Sequence, residues 1–285
     1  MSMTCSRSGR PDPMARLFHR SRPLVTLIVP ARFGSSRFPG KPLAVLRGTN
    51  GAAKPLIQRV WETARQATGV DRLLVATDNR SVADAVRGFG GEVVMTSPNC
   101  RNGTERCAEA IDKAGIGDGV VVNLQGDAPL TPPATIEALI ATMAADPGIA
   151  VSSPMLRCPT ALVERLVAAE RTGVPGGTTV VTDRRGDALY FSRRVLPWFA
   201  GDPGEAPVYM HCGAYAYRTA ALARYAAIPP TVAERLEGLE QLRFLHAGIA
   251  IRMVTMAEPP GGLWEVNHPA DIELVEAGLR VRGLS

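Results

Sequence analysis

The sequence predicts an α/β fold: a doubly wound, mainly parallel sheet that carries an α+β insertion. The first observation is the apolar run LVTLIV at residues 24–29, which ends at Pro30. A run without polar alternation is typical of a strand covered on both faces. The second observation is the alternation of short apolar runs with helical periodicity as far as residue 144. The third is the loss of this rhythm beyond Pro154, which indicates inserted structure.

Individual elements follow from periodicity and turn residues. Ser81 and Thr131 are the predicted N-caps of two helices, and Asn102 opens a third with capping-box-like spacing. The predicted helices cover residues 55–67, 81–88, 102–114, 132–144, 159–169 and 267–282, with two more after residues 218 and 231. The predicted strands cover residues 24–29, 72–77, 92–95, 119–124, 178–182, 188–191, 210–217 and 251–256.

Composition and charge exclude several classes of protein. The chain has 285 residues and a formal net charge of +5. Most of that charge lies in residues 1–22, which we expect to form a disordered basic tail, although a transit peptide has a similar composition. The rest of the chain is nearly neutral, which argues against a nucleic-acid-binding protein. No apolar run approaches the roughly 20 residues that a membrane helix needs.

The cysteine pattern indicates a reducing compartment. There are five cysteines, an odd number, and they contain no CxxC pair. This pattern fits free thiols in a cytoplasmic protein and argues against a disulfide framework or a zinc site. The cysteines are Cys5, Cys100, Cys107, Cys158 and Cys212.

A basic loop follows the first predicted strand, in the sequence PARFGSSRFPGKP. Small residues in this loop allow backbone N–H groups to approach an anion, and Arg32, Arg37 and Lys41 supply positive charge. A strand followed by such a loop is one way in which α/β proteins hold a polyphosphate. The loop matches neither G-x-G-x-x-G nor G-x-x-x-x-G-K-[ST]. Without other motifs, a surface loop with three unrelated cations explains it about as well.

Three further motifs accompany this loop in order: ATD at 76–78, NGTER at 102–106 and NLQGD at 123–127. Together the four segments resemble the sugar nucleotidyltransferases, and most closely the pattern of 3-deoxy-manno-octulosonate (Kdo) cytidylyltransferases. The resemblance implies a nucleotide-diphospho-sugar transferase-like fold, CTP as a substrate, Mg²⁺ as a cofactor and a homodimer. The implied reaction joins CTP and an anionic acceptor to give a CMP conjugate and diphosphate.

The resemblance also implies a role for individual residues in the CTP half. The counterparts of Arg32, Arg37 and Lys41 contact the triphosphate. Asp127 follows a buried strand and matches the family's metal ligand, although aspartate also favours turns and caps. Arg32, Lys41 and Asp127 are the predicted catalytic residues. The predicted CTP-binding residues are Ala31, Arg32, Arg37, Lys41, Asp78, Gly103, Arg106 and Gln125.

The acceptor half matches the family through HCGAY at 211–215, EQLR at 240–243 and an arginine after FS at 191–192. An arginine suits a carboxylate, and the other side chains suit hydroxyl groups. A single His or Tyr is more often structural, so these assignments depend on the resemblance. The predicted acceptor-binding residues are Gln125, Arg193, His211, Tyr215, Glu240 and Gln241.

The chain departs from the family pattern at three positions. A family carboxylate is Ala128 here, and a family lysine is Thr179. The family's second metal-binding aspartate is Asn267, whose amide oxygen still ligates Mg²⁺ but brings no charge. The predicted metal ligands are therefore Asp127 and Asn267, and metal affinity should fall unless Glu265 or the acceptor supplies an anion.

These departures leave three functions open. The first is a cytidylyltransferase for a Kdo-type sugar acid with an altered site. The second is a cytidylyltransferase for a small phosphonate, such as phosphonoformate, which would itself complete the metal shell. The third is a CTP-binding protein with little activity. In each case the predicted regions are a tail at 1–22, a nucleotide-binding part at 23–154, an acceptor-binding and dimerisation insertion at 155–245, and a C-terminal return to the core at 246–285.

Overall fold

The computed structural model describes residues 22–35, 37–173, 176–201 and 207–285. The predicted basic tail lies outside the described residues except for Arg22, which pairs with Asp71 at 2.6 Å.

Within the described ranges the strands are β1 (Val25–Ala31), β2 (Val45–Arg47), β3 (Ala53–Pro55), β4 (Arg72–Thr77), β5 (Glu92–Met95), β6 (Val120–Leu124), β7 (Val151–Arg157), β8 (Thr179–Thr182), β9 (Ala188–Ser192), β10 (Tyr209–His211), β11 (Ala214–Arg218) and β12 (Ile251–Met256).

Helices connect these strands on both sides of the sheet. They are α1 (Leu56–Ala64), α2 (Arg80–Gly88), α3 (Gly103–Lys113), α4 (Pro133–Ala145), α5 (Thr160–Arg171), α6 (Thr219–Ala227), α7 (Val232–Glu237), α8 (Leu242–His246) and α9 (Asp271–Val281), with a 3-10 turn at Lys41–Leu43. No helix in the described part of the chain has the length and apolar character needed to cross a bilayer.

Ten of the strands form one sheet in the order β5-β4-β1-β6-β11-β7-β10-β8-β9, and β12 pairs with β7. Strands β5, β4, β1, β6, β7, β12 and β8 run one way, whereas β11, β10 and β9 run the other way. The predicted mainly parallel sheet is confirmed. The predicted insertion contributes β8 to β11 to this same sheet, so it continues the central layer.

The sheet is covered on both faces, as a doubly wound fold requires. One core contains alternate residues of β1, such as Leu27 and Val29, packed with residues of α1, α2, α4 and α9. The other contains Ile28 with residues of α3, α6 and α8. Every residue of β1 is buried, which explains why its sequence shows no polar alternation.

The parallel register brings the carboxyl ends of three strands to one edge. Ala31 of β1 lies opposite Thr77 of β4, and Ile28 lies opposite Asn123 of β6. The loops after β1, β4 and β6 therefore start side by side. The loop after β1 carries the three basic residues, the loop after β4 carries Asp78, and the loop after β6 carries Asp127.

The predicted single strand at 210–217 is wrong, because it is two strands with a break at Cys212–Gly213. β10 pairs with β7 as His211↔Met155, but β11 pairs with β7 as Ala216↔Ser152, which is a register shift of two residues. Before the break the chain pairs with β8, and after it the chain pairs with β6. The break thus lies where the inserted strands join the central sheet.

Other differences concern helix ends. The N-cap of α2 is Asn79, whose side chain accepts from Val82 N, and not Ser81. Pro132 occupies the N-cap position of α4, with no side-chain cap from Thr131. The C-terminal helix begins at Asp271 instead of Asn267. Sequence analysis did not predict the short β2–β3 hairpin, β7 or α8.

Candidate active site

The basic loop after β1 is held against its neighbours by its backbone. The Phe33 N–H donates to Asp78 Oδ1 at 3.2 Å, and the Gly40 N–H donates to Phe33 O at 3.0 Å. These bonds fold the loop back to the 3-10 turn that begins at Lys41. Arg32 is exposed and makes no hydrogen bond or ion pair within the described residues. The described residues of the loop are therefore bonded to Asp78 and to one another, while the Arg32 side chain is exposed to solvent.

Lys41 and Asp127 form an ion pair at the centre of this edge. Lys41 Nζ lies 2.6 Å from Asp127 Oδ2, and both side chains are largely shielded from solvent. Asp127 reaches this position because Gly126 passes close to β1: a Cβ at Gly126 would lie only 2.6 Å from Pro30 O. The small residue in the QGD sequence is thus a steric requirement.

The segment before α9 places two more side chains beside Asp127. The Val266 N–H donates to Asp127 O at 2.9 Å. On either side of Val266, the Glu265 carboxylate interacts with Asp127 and with the Asn267 side chain. Arg37 Nη2 donates to Asn267 Oδ1 at 3.0 Å. The predicted metal ligands Asp127 and Asn267 are therefore brought together, and each is bonded to a cation of the basic loop.

Glu265 is a further carboxylate at this edge. Burial and the neighbouring Asp127 carboxylate raise the pKa of Glu265 to about 7, while Lys41, Asn267 and Arg37 act in the opposite direction. The sequence prediction named Glu265 only as a possible source of an anion. Its signal was its position two residues before Asn267.

The N-terminus of α3 forms the opposite side of the site. Asn102 caps this helix by accepting from the Glu105 N–H at 2.8 Å, as predicted. Glu240 Oε2 accepts from the Thr104 N–H at 2.9 Å, and Glu240 Oε1 accepts from Gln125 Nε2 at 3.4 Å. Burial raises the pKa of Glu240. Gln125, at the end of β6, therefore connects the helix to the acceptor half.

Arg106 is buried beneath the site and bonded on several sides. Its guanidinium lies 3.5 Å from Asp78 Oδ2 and donates to Thr96 Oγ1 at 2.5 Å. Asp78 in turn holds the backbone of the basic loop at Phe33. Of the predicted CTP-binding residues, Arg106 and Asp78 thus form a support that links α3 to the loop.

Five of the six predicted acceptor-binding residues form one cluster. Tyr215 OH donates to Gln241 Oε1 at 3.2 Å, and the His211 and Tyr215 rings lie 5.4 Å apart. Glu240 precedes Gln241 and contacts Gln125. Burial lowers the pKa of His211 to about 3, so the imidazole is neutral at neutral pH.

The remaining acceptor candidate, Arg193, has other contacts. Its Nε donates to Glu237 O at 2.6 Å and its Nη2 donates to Gly238 O at 3.3 Å, so the exposed side chain covers the C-terminal end of α7. Thr179, which replaces a family lysine, is buried and donates to Arg194 O at 2.5 Å. Thr179 therefore holds the segment that follows Arg193.

Comparison with known proteins identifies the family. A sequence profile described as cytidylyltransferase matches residues 26–251. The chain belongs to the cytidylyltransferase family. It is therefore a nucleotidyltransferase. The resemblance of its four motifs to those of cytidylyltransferases is confirmed.

Relatives of this cytidylyltransferase match it over nearly their full length. The 3-deoxy-manno-octulosonate cytidylyltransferase of Maricaulis maris is 44% identical, covering 91% of this chain and 98% of the relative. The 8-amino-3,8-dideoxy-manno-octulosonate cytidylyltransferase of Shewanella sediminis is 43% identical, covering 90% and 99%. A solved structure of CMP:2-keto-3-deoxy-manno-octonic acid synthetase complexed with CTP has a TM-score of 0.76 and 38% identity, covering 89% and 97%. The predicted fold class is confirmed.

A substitution at Gly103 tests the contact between α3 and Gln125. In Gly103→Ala the new Cβ would lie 2.8 Å from Gln125 Nε2, so Gln125 must move and lose its contact with Glu240. We expect the Kd for CTP, measured by calorimetry, to rise about tenfold, which is about 1.4 kcal/mol. The free energy of unfolding should be measured alongside, because the lost contact between Gln125 and Glu240 lowers it and the higher helix propensity of alanine raises it.

Gly88→Ala is the matched control. Gly88 ends α2, and a Cβ there meets nothing within 4 Å. We expect this variant to bind CTP like the wild type. Equal CTP affinity in Gly103→Ala and Gly88→Ala would contradict the placement of the nucleotide beside Gln125.

Proposed function

We propose that this cytidylyltransferase transfers CMP from CTP to a Kdo-type 3-deoxy-2-ulosonic acid and releases diphosphate. The observation that carries the proposal is the position of Gln125, which lies between Gly103 of α3 and Glu240 of the acceptor cluster. The nucleotide and the acceptor would thus meet at Gln125, two residues before Asp127. The names of the two relatives support a sugar acid of this class.

The residues of the basic loop would hold the triphosphate. Arg32 is free of other described partners, and Arg37 and Lys41 are already directed at the carboxyl edge of the sheet. When CTP binds, its phosphate oxygens would replace Asn267 and Asp127 as partners of these cations. The anomeric hydroxyl of the sugar acid would then release its proton to solvent as its oxygen forms a bond to the α-phosphorus, and the bond from that phosphorus to the departing diphosphate would break.

The oxygen donors at this edge fit Mg²⁺. Within the described ranges no group of three or more His, Cys, Asp or Glu side chains could hold a metal. The local donors are the carboxylates of Asp127 and Glu265 and the amide oxygen of Asn267. Mg²⁺ is usually held by one or two carboxylates plus substrate phosphates and water. Asp127 and Asn267 would hold the ion, which when bound neutralises charge on the phosphates.

A diphosphate-release assay tests the proposed reaction and the role of Asp127. With CTP, we expect the wild type to turn over Kdo or its 8-amino analogue, and Asp127→Ala to lose at least about a hundredfold in rate. Asp84→Ala, at an exposed position of α2, should keep full activity.

The same assay separates the alternatives. Turnover only with small phosphonates would replace the sugar acid as acceptor. Tight CTP binding without diphosphate release from any acceptor would indicate a binding protein with little activity. Activity of Asp127→Ala close to that of the wild type would contradict its predicted role as a metal ligand.

A second prediction concerns the missing carboxylate at position 267. In Asn267→Asp the added charge should strengthen Mg²⁺ binding, and the Mg²⁺ concentration for half-maximal rate should fall by about tenfold. Direct binding of Mn²⁺, followed by electron paramagnetic resonance, should tighten in parallel. Asn50→Asp adds the same charge in the β2–β3 turn and keeps its bond to the Ala52 N–H. Equal metal affinity in both variants would contradict ligation at position 267.

We also propose that the enzyme is a homodimer, in line with the resemblance. Apolar side chains of β9 and α7 are exposed around a cleft of about 1080 Å³, among them Tyr190, Val232 and Leu236. Exposed apolar patches of this kind mark interaction surfaces. Leu236→Glu should convert a dimer to a monomer in light scattering, whereas Leu274→Glu on α9 should not. A wild-type monomer at all concentrations would refute the proposal.

A further inference from the structure

The His211 imidazole makes one polar contact within the described residues, and its partner is Ser153 of β7. His211 Nε2 lies 2.8 Å from Ser153 Oγ, and Ser153 Oγ lies 2.7 Å from Ala214 O. A carbonyl oxygen can only accept, so the single hydroxyl proton of Ser153 is donated to Ala214 O. The hydroxyl oxygen must therefore accept from His211, and Nε2 must carry the imidazole hydrogen.

This assignment determines what the other ring nitrogen can do. In a neutral imidazole only one nitrogen carries hydrogen, so Nδ1 of His211 has a free lone pair. The ring plane is held by Phe191, edge-on at 5.1 Å, and by Tyr215 at 5.4 Å. Nδ1 has no partner among the described residues. It therefore presents a hydrogen-bond acceptor.

The neighbouring Gln241 presents the opposite kind of group. Its Oε1 accepts from Tyr215 OH, while its Nε2 is buried and has no partner among the described residues. The cluster thus offers one acceptor nitrogen and one donor nitrogen. A hydroxyl group can satisfy both kinds of partner, whereas the oxygens of an ionised phosphonate or carboxylate can only accept.

We propose that Ser153 is a positioning residue that fixes His211 with hydrogen on Nε2, so that Nδ1 accepts a hydrogen bond from a hydroxyl group of the acceptor substrate. This inference rests on the proposed function for the location of the acceptor. It adds a basis for selecting a polyhydroxylated acceptor over a small phosphonate, because the phosphonate would leave Nδ1 unpaired and would bring its own lone pairs towards it.

The imidazole spectrum tests the proposal without any substrate. The sequence contains four histidines, so protein labelled with ¹⁵N-histidine gives few signals, and the loss of one in His211→Gln assigns His211. In the wild type we expect a neutral ring with hydrogen on Nε2. In Ser153→Ala we expect that pattern to give way to the other tautomer or to a mixture. A wild-type ring with hydrogen on Nδ1, or a Ser153→Ala spectrum like that of the wild type, would overturn the proposal.

Ser152→Ala is the matched control. Ser152 is the neighbouring residue of β7, is equally buried, and has a hydroxyl without a partner in the described structure. We expect its substitution to leave the His211 signals unchanged. A change of the same size in both variants would assign the effect to general disturbance of β7 and would overturn the role of Ser153.

Kinetics then separate positioning from folding. In Ser153→Ala we expect the KM for the sugar acid to rise about tenfold, while the KM for CTP stays unchanged. His211→Gln keeps a donor for Ser153 but lacks an acceptor at the Nδ1 position. It should therefore fold, with a raised KM for the sugar acid and an unchanged KM for CTP. A KM for the sugar acid that neither variant alters would overturn the proposal. Failure of the wild type to use any sugar acid would refute the proposed function instead, and the spectrum would still decide the tautomer.

Discussion

The ion pair between Lys41 and Asp127 is the contact on which the arrangement of the site depends. It joins the loop after β1 to the loop after β6 at 2.6 Å, and the Arg37–Asn267 contact joins the loop after β1 to the segment before α9. Under the proposed function, the two cations would contact the polyphosphate, and the oxygens of Asp127 and Asn267 would contact the metal. Binding would exchange partners within a prearranged set of charges, which limits the reorganisation that catalysis requires. A carboxylate with an elevated pKa, Glu265, lies in the same set.

The two halves of the molecule share one sheet and are also connected by side-chain hydrogen bonds. Gln125 and Glu240 join the end of β6 to the acceptor cluster and to the backbone of α3. The buried Arg243 adds a second connection, because it bonds to Glu105 of α3 and to Glu234 of α7. The strand break at 212–213 lets one polypeptide segment pair with β8 and then with β6. Changes in the acceptor half should therefore affect the position of Gln125.

Much of the nucleotide half could be predicted from the sequence, because its signals are local. The apolar run of β1, the Asn102 cap and the spacing of the motifs each depend on neighbouring residues. Some features that were missed depend on distant residues. The break at Cys212–Gly213 follows from how the strands pair across the sheet. The choice of Asn79 over Ser81 as the cap of α2 is instead a local alternative, because two polar residues lie close together at the start of that helix. Glu265 was named only as a source of an anion, because its place in the site depends on the bond between Val266 and Asp127, which are far apart in the sequence.

The most direct test is a crystal structure of the protein with CTP and Mg²⁺. The account predicts that the triphosphate lies along the loop at 32–41, with Lys41 Nζ moved from Asp127 to a phosphate oxygen and Asp127 bound to the metal. A nucleotide bound elsewhere, or one bound at this edge with the Lys41–Asp127 contact unchanged, would contradict it.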